Sequence, residues 1–214
     1  MQSSAAKPMS GEVFGALTNL SGRRRFTSQR LVLYALLAAQ GQEGAATIAQ
    51  EALTLFREAH KALLEDGNGL PGVFCEELQQ AYYGRGQGNA QIQRFIAKAE
   101  RTLQVIAADP QHAAAPLAEL VALTTPTLAV LNQITAIYEN QSKLYARLMK
   151  KQLIGVITDI ETIARLAKMV AFNARVVAAR AGQAGKEFAV VAGVMSNITT
   201  EIDEMVSGVL TAAA

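Results

Sequence analysis

Apolar residues recur every three or four positions through most of this chain, which is the period of an amphipathic α-helix. The pattern predicts a first helix from Gly11 to Gln40 and a second over residues 45–65. A shorter helical stretch, 74–83, and the loop GRGQGN precede a third helix that ends at Asp109-Pro110. The apolar stripe of the third helix is formed by Ile92, Phe95, Ile96, Ala99, Leu103 and Ile106.

A much longer helix is expected next. Thr127 to Ala181 contains no proline and only one glycine, Gly155. At 1.5 Å per residue such a helix is roughly 80 Å long. We expect its first half to complete a four-helix bundle with the three preceding helices, and its second half to form one arm of a hairpin.

The expected hairpin has a seam of alternating three- and four-residue steps, as in coiled coils. On the outgoing arm the seam residues become small towards the tip: Leu153, Ile157, Ile160, Ala164, Ala167, Ala171, Ala174, Ala178 and Ala181. On the returning arm the same steps select larger residues: Phe188, Val191, Met195, Ile198, Ile202, Met205 and Val209. We therefore expect large side chains to pack against small ones across the seam.

A second apolar stripe lies beside this seam, at Val156, Ile163, Val170 and Val177. One partner helix cannot cover both stripes, and each exposed valine or isoleucine costs about 1.5–3 kcal/mol relative to burial. The prediction is a homodimer in which two hairpins pair. The alternative is that the stripe folds back on the bundle of the same chain.

The expected fold class is therefore all-α: a four-helix bundle sensor domain that continues through a long helix into an antiparallel coiled-coil hairpin. Residues 1–10 are interpreted as a disordered leader, 11–150 as the sensor domain and 151–214 as the hairpin. Half of the residues are apolar and tryptophan is absent, which agrees with a helical protein that buries a core.

Charge and candidate chemistry narrow the function. The formal net charge is only +2, so neither nucleic acid nor a membrane is expected as a partner. The single cysteine, Cys75, excludes an internal disulfide, and His60 and His112 are expected at the surface without metal-ligand spacing. No nucleophile stands with a base in a known motif, so no enzymatic activity, cofactor or metal site is expected.

The sequence also bears on localisation. The start of the chain lacks the apolar core of a signal peptide, and the apolar windows 31–39 and 128–137 are too short to span a bilayer. These features predict a cytoplasmic protein.

The segment NARVVAARAGQAGKEFAVVAGVM, residues 173–195, resembles the cytoplasmic hairpin tip of methyl-accepting chemotaxis proteins. It departs from their pattern at Val177, Glu187 and Gly193-Val194, which replace polar or small residues of the outer face. The resemblance implies that the tip contacts a chemotaxis histidine kinase and its coupling adaptor. The residues implied in that contact are Asn173, Arg180, Gln183, Lys186 and Phe188.

The segment LTNLSGRRRFTSQRLVLYALL, residues 17–37, resembles the first helix of the sensor domain in type IV pili methyl-accepting transducers and the related segment of nitrate/nitrite-sensor histidine kinases. The shared pattern, N-L-x-G-x-x-R-x-x-S-x-R, is matched by Asn19, Leu20, Gly22, Arg25, Ser28 and Arg30. The resemblance implies that Gly22 and Arg25 bind one small anion, such as nitrate or nitrite, between two subunits.

The residues themselves agree with an anion site. Gly22 stands one helical turn before Arg25, and a mid-helix glycine costs about 1 kcal/mol relative to alanine, which suggests close approach of a ligand or a partner helix. Two Arg25 side chains would repel in a dimer interface unless a planar anion accepted their hydrogen bonds. Arg23 and Arg24, in contrast, are expected on a solvated face.

These observations predict a cytosolic signal transducer that senses a small anion at a dimer interface and relays the signal through the hairpin tip to a chemotaxis-type kinase and adaptor. The alternative is a structural or adaptor protein of chemoreceptor arrays that needs no ligand.

Overall fold

A computed structural model describes residues 9–213 of the chain, with side chains to residue 209. The described residues form an all-α structure, as predicted. Its helices are α1 (Gly11–Ala39), α2 (Ala45–Leu64), α3 (Glu76–Tyr83), α4 (Gly88–Ala108), α5 (Ala114–Arg180) and α6 (Lys186–Ala213). Short 3-10 turns, Pro110–His112 and Gly182–Gly185, precede α5 and α6.

The beginning of α1 is set by a side-chain cap. The hydroxyl of Ser10 accepts a hydrogen bond from the backbone N–H of Val13 at 3.2 Å, which satisfies one of the free donors of the first helical turn. Of the predicted leader 1–10, residues 1–8 lie outside the described residues. Ser10 is part of the helix start.

The connection between α2 and α3 contains a small β-hairpin, which the sequence pattern did not predict. Strand β1 (Asp66–Gly67) pairs antiparallel with β2 (Leu70–Pro71). Gly72 follows with a φ of +62°, and a side chain there would lie 3.0 Å from backbone atoms of the preceding turn. Only glycine fits this position without strain, so the breaker-rich sequence forms a defined turn.

Helix α5 is longer than expected. It begins at Ala114 and continues through Pro126, whereas the sequence interpretation used the absence of proline to start its uninterrupted stretch at Thr127. A proline inside a helix removes one backbone hydrogen bond and usually interrupts the helix. Here Leu120 and Leu131, on either side of Pro126, are fully buried, so core packing retains the helix across the defect.

The chain divides into two compact units, an N-terminal unit up to Leu144 and a C-terminal unit from Tyr145. In the N-terminal unit α1 packs against α2 and α4, while α4 also contacts α2 and α3. Phe56 and Phe95 meet edge to face, with ring centroids 5.5 Å apart, in the apolar core. The middle of α1 differs from its two ends because its buried side chains are polar: Ser21, Arg24, Thr27 and Ser28.

The C-terminal unit buries one residue in seven on each helix. The buried positions of α5 are Ile157, Ala164, Ala171 and Ala178. The seven-residue spacing continues with Gly185 in the tip turn and with the buried residues of α6, which are Ala192, Thr199 and Val206. The Nζ atom of Lys168 lies 3.6 Å from a carboxylate oxygen of Asp203, which joins α5 to α6.

The expected seam of the returning arm was therefore wrong in register. Of its predicted large residues only Met195 and Ile202 are half-buried, whereas Phe188, Val191, Ile198, Met205 and Val209 are exposed. The predicted outgoing residues Leu153, Ile160 and Ala181 are exposed as well. At the tip the row has no room for a side chain, because a Cβ atom on Gly185 would overlap the backbone carbonyl of Ala178.

One stretch of 18 residues within α5 is long and apolar enough to cross a membrane by length and composition alone. Helices from the cores of soluble proteins satisfy the same criterion, so the stretch is weak evidence for a membrane span.

Candidate functional site

The three consecutive arginines of α1 have three different environments. Successive residues of a helix are rotated by about 100°, so a run of three cannot share one face. Arg23 is exposed, Arg25 is half-buried and Arg24 has no exposed surface. The expectation that Arg24 lies on a solvated face was wrong, because the rotation that exposes Arg23 turns Arg24 into the core.

The guanidinium of Arg24 is held by neutral acceptors. Its Nη1 atom lies 3.0 Å from Nδ1 of His60, and its Nη2 atom donates to the hydroxyl of Ser21 at 3.2 Å. No described carboxylate comes within 4.0 Å of it, and its Nε atom has no hydrogen-bond partner among the described residues. A buried cation that is paired with no anion is rare in protein cores because desolvation disfavours the charged form.

His60 is buried as well, contrary to the expected surface position, while His112 is exposed. Arg24 can only donate, so Nδ1 of His60 must accept and the ring must be neutral, with its proton on Nε2. Nε2 then donates to Oδ1 of Asn89 at 2.9 Å. Burial, with a further contribution from the charge of Arg24, lowers the pKa of His60 from 6.5 to about 4.

A second branch runs from Arg24 to α5. Because the hydroxyl of Ser21 accepts from Arg24, its own proton is directed to Oγ1 of Thr135, 2.8 Å away. Thr135 in turn donates to the backbone carbonyl of Leu131 at 2.7 Å. Hydrogen-bond donation therefore runs in one direction, from α1 to α5, and each of the two hydroxyls accepts one hydrogen bond and donates one.

Two tyrosines complete the surroundings of Arg24. Its guanidinium carbon lies 5.9 Å from the ring centre of Tyr82, a cation–π distance, and Tyr82 and Tyr138 bring their hydroxyls within 3.5 Å of each other. Burial raises the pKa of Tyr138, so its hydroxyl remains neutral in the physiological range. This buried polar cluster, Ser21, Arg24, His60, Tyr82 and Thr135, was missed by the sequence interpretation. The run of Arg23 to Arg25 next to two small hydroxyl residues was the only available signal.

The predicted ligand residues, Gly22 and Arg25, lie together outside this cluster. Both are half-buried, and a Cβ atom on Gly22 would lie 3.8 Å from the Nη2 atom of Arg25, which is ordinary contact. Arg25 donates through Nη1 to Oδ1 of Asn132 in α5 at 3.3 Å, so it has a neutral partner and no anionic one in this contact. The packing inside this chain does not itself demand glycine at position 22.

The five predicted partner-binding residues are spread over the end of the C-terminal unit. Arg180, Gln183 and Phe188 are exposed. Lys186 lines an open cavity of about 560 Å³ and Asn173 lines a neighbouring one of about 530 Å³, and the two cavities share only the side chain of Phe172, which no sequence motif had singled out.

No group of three His, Cys, Asp or Glu side chains in the described part of the chain could hold a metal ion. Comparison of the sequence with models of known families, with curated proteins and with solved structures finds no match. The two resemblances therefore rest on the quoted motifs alone.

Proposed function

We propose that this protein is a cytosolic, homodimeric signal transducer of the chemoreceptor type. It binds a small anion, with nitrate or nitrite as the best candidates, between two copies of α1. It passes the signal along α5 to the hairpin tip and from there to a chemotaxis-type kinase and adaptor. The observation that carries the proposal is an unpartnered apolar row along the C-terminal unit, which a second hairpin would cover.

This apolar row is regular. On α5 it consists of Val156, Ile163, Val170 and Val177, exposed by 56%, 64%, 57% and 61%. On α6 it continues with Val191, Ile198 and Met205, again at seven-residue spacing and between 49% and 63% exposed. Full burial of such a side chain stabilises by about 1.5–3 kcal/mol, so covering seven half-exposed ones would contribute several kcal/mol to pairing.

The buried row beside it supports an antiparallel coiled-coil hairpin. Small residues at 164, 171, 178, 185 and 192 allow two helix backbones to approach closely, while the larger residues of the apolar row remain free. Two such hairpins that join their apolar rows would form a four-helix bundle, with two helices running in each direction and the large side chains at the centre. The register found here favours this dimer more than the predicted seam did, because it moves the large residues of α6 to the outside.

Pairing of the C-terminal units is tested by size-exclusion chromatography with light scattering. Val170→Glu with Val177→Glu places charges in the proposed interface and should give a monomer. Thr162→Glu, at an exposed position outside the row, is the matched control and should remain a dimer. A wild-type chain that is monomeric at about 100 μM, well above the Kd of a functional dimer, would refute the pairing.

The proposed anion site uses the exposed side of α1 around Gly22. A glycine there lets a second α1 approach, and each Arg25 could exchange its weak neutral partner, Asn132, for a charged one. A hydrogen bond to an anion is roughly twice as strong as one to an amide oxygen. Any movement of α1 would act on α5 because Ser21 and Thr135 connect the two helices.

Calorimetric titration of the full chain with nitrate, nitrite and sulfate tests this site. Arg25→Ala should abolish the binding of nitrate, while Arg23→Ala, which removes the same charge from an exposed position two residues away, should leave it unchanged. Equal loss in both variants would mean that the arginine run attracts anions only by its charge. No heat with any of the three anions would refute the sensing function.

One observation favours the second candidate, a structural or adaptor protein of chemoreceptor arrays that needs no ligand. Arg25 already has a partner in the unliganded chain, and the buried charge of Arg24 is held within the core. For this candidate a pull-down of the chemotaxis kinase and adaptor should succeed equally with and without nitrate. A response of the pull-down to nitrate that disappears in Arg25→Ala would exclude it.

A further inference from the structure

Between Asp159 and Glu204, all charged residues except Glu187 belong either to a basic block near the tip or to an acidic block away from it. From Thr162 to Lys186 the chain contains five basic residues and no acidic one. The basic block consists of Arg165, Lys168, Arg175, Arg180 and Lys186. The acidic block consists of Asp159, Glu161, Glu201, Asp203 and Glu204.

The two acidic segments lie at the same level of the unit, although 40 residues separate Glu161 from Glu201 in the sequence. The contact of Lys168 with Asp203, at 3.6 Å, brings the end of α6 beside this part of α5. Glu161, Lys168 and Arg175 follow each other at seven-residue intervals and so form one row on α5. Along this row the charge changes from acidic, away from the tip, to basic towards it.

Apolar surface lies between the two ends of this row. Phe172 is 66% exposed and Met169 is 59% exposed. Phe172 forms the shared wall of the two cavities, of about 560 and 530 Å³, and the charged residues around them are Arg165, Lys168, Arg175 and Lys186. An exposed phenylalanine between open cavities and basic side chains is typical of an interaction surface.

We propose that this face pairs with the same face of a second copy in the antiparallel direction. A surface that is acidic at one end, apolar in the middle and basic at the other end is complementary to itself under a two-fold rotation. Glu161 and Arg175 are separated by 14 residues, about 21 Å along the helix, and a two-fold axis at the level of Lys168 exchanges their positions. Each Glu161 then meets Arg175 of the other copy, and Phe172 is covered near the axis. The two Lys168 side chains also meet at the axis, and the charge of each is balanced by Asp203 of its own copy.

Pairing in the parallel direction is disfavoured, because it would place Arg175 and Lys186 next to their own equivalents. The face is also distinct from the apolar row of the proposed dimer. Arg175 and Val177 are two positions apart, about 200° around the helix, and point to opposite sides of α5. The pairing requires the hairpin but not anion sensing, and it would join two of the proposed dimers to each other.

Sedimentation velocity of the full chain at low and high salt tests the pairing. We expect the mass at low salt to be twice the mass at high salt, whether the high-salt species is a dimer or a monomer, because screening weakens the charged contacts and not the apolar row. This doubling separates the result from that of the apolar-row variants. No salt-dependent doubling of the mass would overturn the proposal.

Two double variants sharpen the test. Arg175→Glu with Lys186→Glu reverses two charges at the basic end of the face, and Glu161→Lys with Glu204→Lys reverses two charges at the acidic end. Each variant alone should fail to double its mass at low salt, and an equimolar mixture of the two should recover the doubling, since opposite faces then meet. Recovery in the mixture also demonstrates that both variants are folded.

A matched control, Lys150→Glu with Lys151→Glu, changes the net charge as much as the tip variant does, but at exposed positions outside the face. It should retain the doubling. Loss of the doubling in the control, or no recovery in the mixture, would overturn the proposal. Binding of the wild-type chain to vesicles of anionic lipid without any doubling would assign the basic end to a membrane surface and would also overturn it.

Discussion

Acidification should destabilise the N-terminal unit through His60. In the folded chain this ring is buried, accepts a hydrogen bond from Arg24 and has a pKa of about 4, against 6.5 for an exposed histidine. As the pH falls below 6.5, the unfolded chain takes up a proton that the folded chain cannot hold. The contribution to stability is therefore complete above about pH 6.5, decreases as the pH falls towards 4, and does not change further below that value.

The size of the effect follows from the difference between the two pKa values. At about 1.4 kcal/mol per pH unit, lowering the pKa from 6.5 to about 4 corresponds to about 3 kcal/mol of unfolding free energy. Domains of this size are stable by about 5–15 kcal/mol, so the loss is a large fraction of the total. A protonated His60 would also place a second buried cation 3.0 Å from Arg24.

Urea unfolding followed by circular dichroism, at fixed protein concentration and at several pH values between about 7 and 4, measures this loss. His60→Gln keeps one donor and one acceptor but cannot titrate, so its unfolding free energy should change by about 3 kcal/mol less than that of the wild type over the same range. His112→Gln, at the exposed histidine, should behave as the wild type does.

Nuclear magnetic resonance titration gives an independent measurement. Arg24→Met removes the neighbouring charge and should raise the pKa of His60, although burial will keep it below 6.5. The assignment of His60 as a buried, neutral ring is refuted if the wild type and His60→Gln lose the same unfolding free energy between pH 7 and 4. It is also refuted if His60 titrates near pH 6.5 in the folded chain.

Three further changes test the packing around the candidate sites. Thr135→Val leaves the hydroxyl of the buried Ser21 without its acceptor and should lower the unfolding free energy by about 1–3 kcal/mol, whereas Thr158→Val, an exposed threonine with the same local bond, should change it by less than about 0.5 kcal/mol. Gly88→Ala should destabilise by about 1–3 kcal/mol, because the new Cβ would overlap a backbone carbonyl of α3, while Gly86→Ala enters open space and should be nearly neutral in the same urea experiment. Burial raises the pKa of Cys75, so its alkylation near pH 8, followed by mass spectrometry, should be slower than that of a small free thiol; equal rates would contradict the burial.

The sequence by itself determined the helices. Apolar periodicity and helix-breaking glycine and proline residues predicted the bounds of α1, α2 and α4 to within one or two residues. These signals depend only on residues within about one helical turn of each other. The seven-residue spacing of apolar residues in the C-terminal unit was also recognisable in the sequence. The continuation of α5 through Pro126 was not predicted, since core packing overrides local preference there. The hairpin of β1 with β2 was missed although its turn, Asn68-Gly69 with positive φ at both residues, is a local signal.

Only the tertiary structure decided which side of each helix is buried. The periodicity of α6 fits two neighbouring rows equally well, and the fold buries the row of Ala192, Thr199 and Val206. Likewise, three successive arginines have the same local preference, and only the packing of α1 against other helices buries Arg24 and gives it His60 as a partner. Helix formation depends on neighbours along the chain, but burial depends on contacts between residues 36 to 114 positions apart, and no local pattern encodes them.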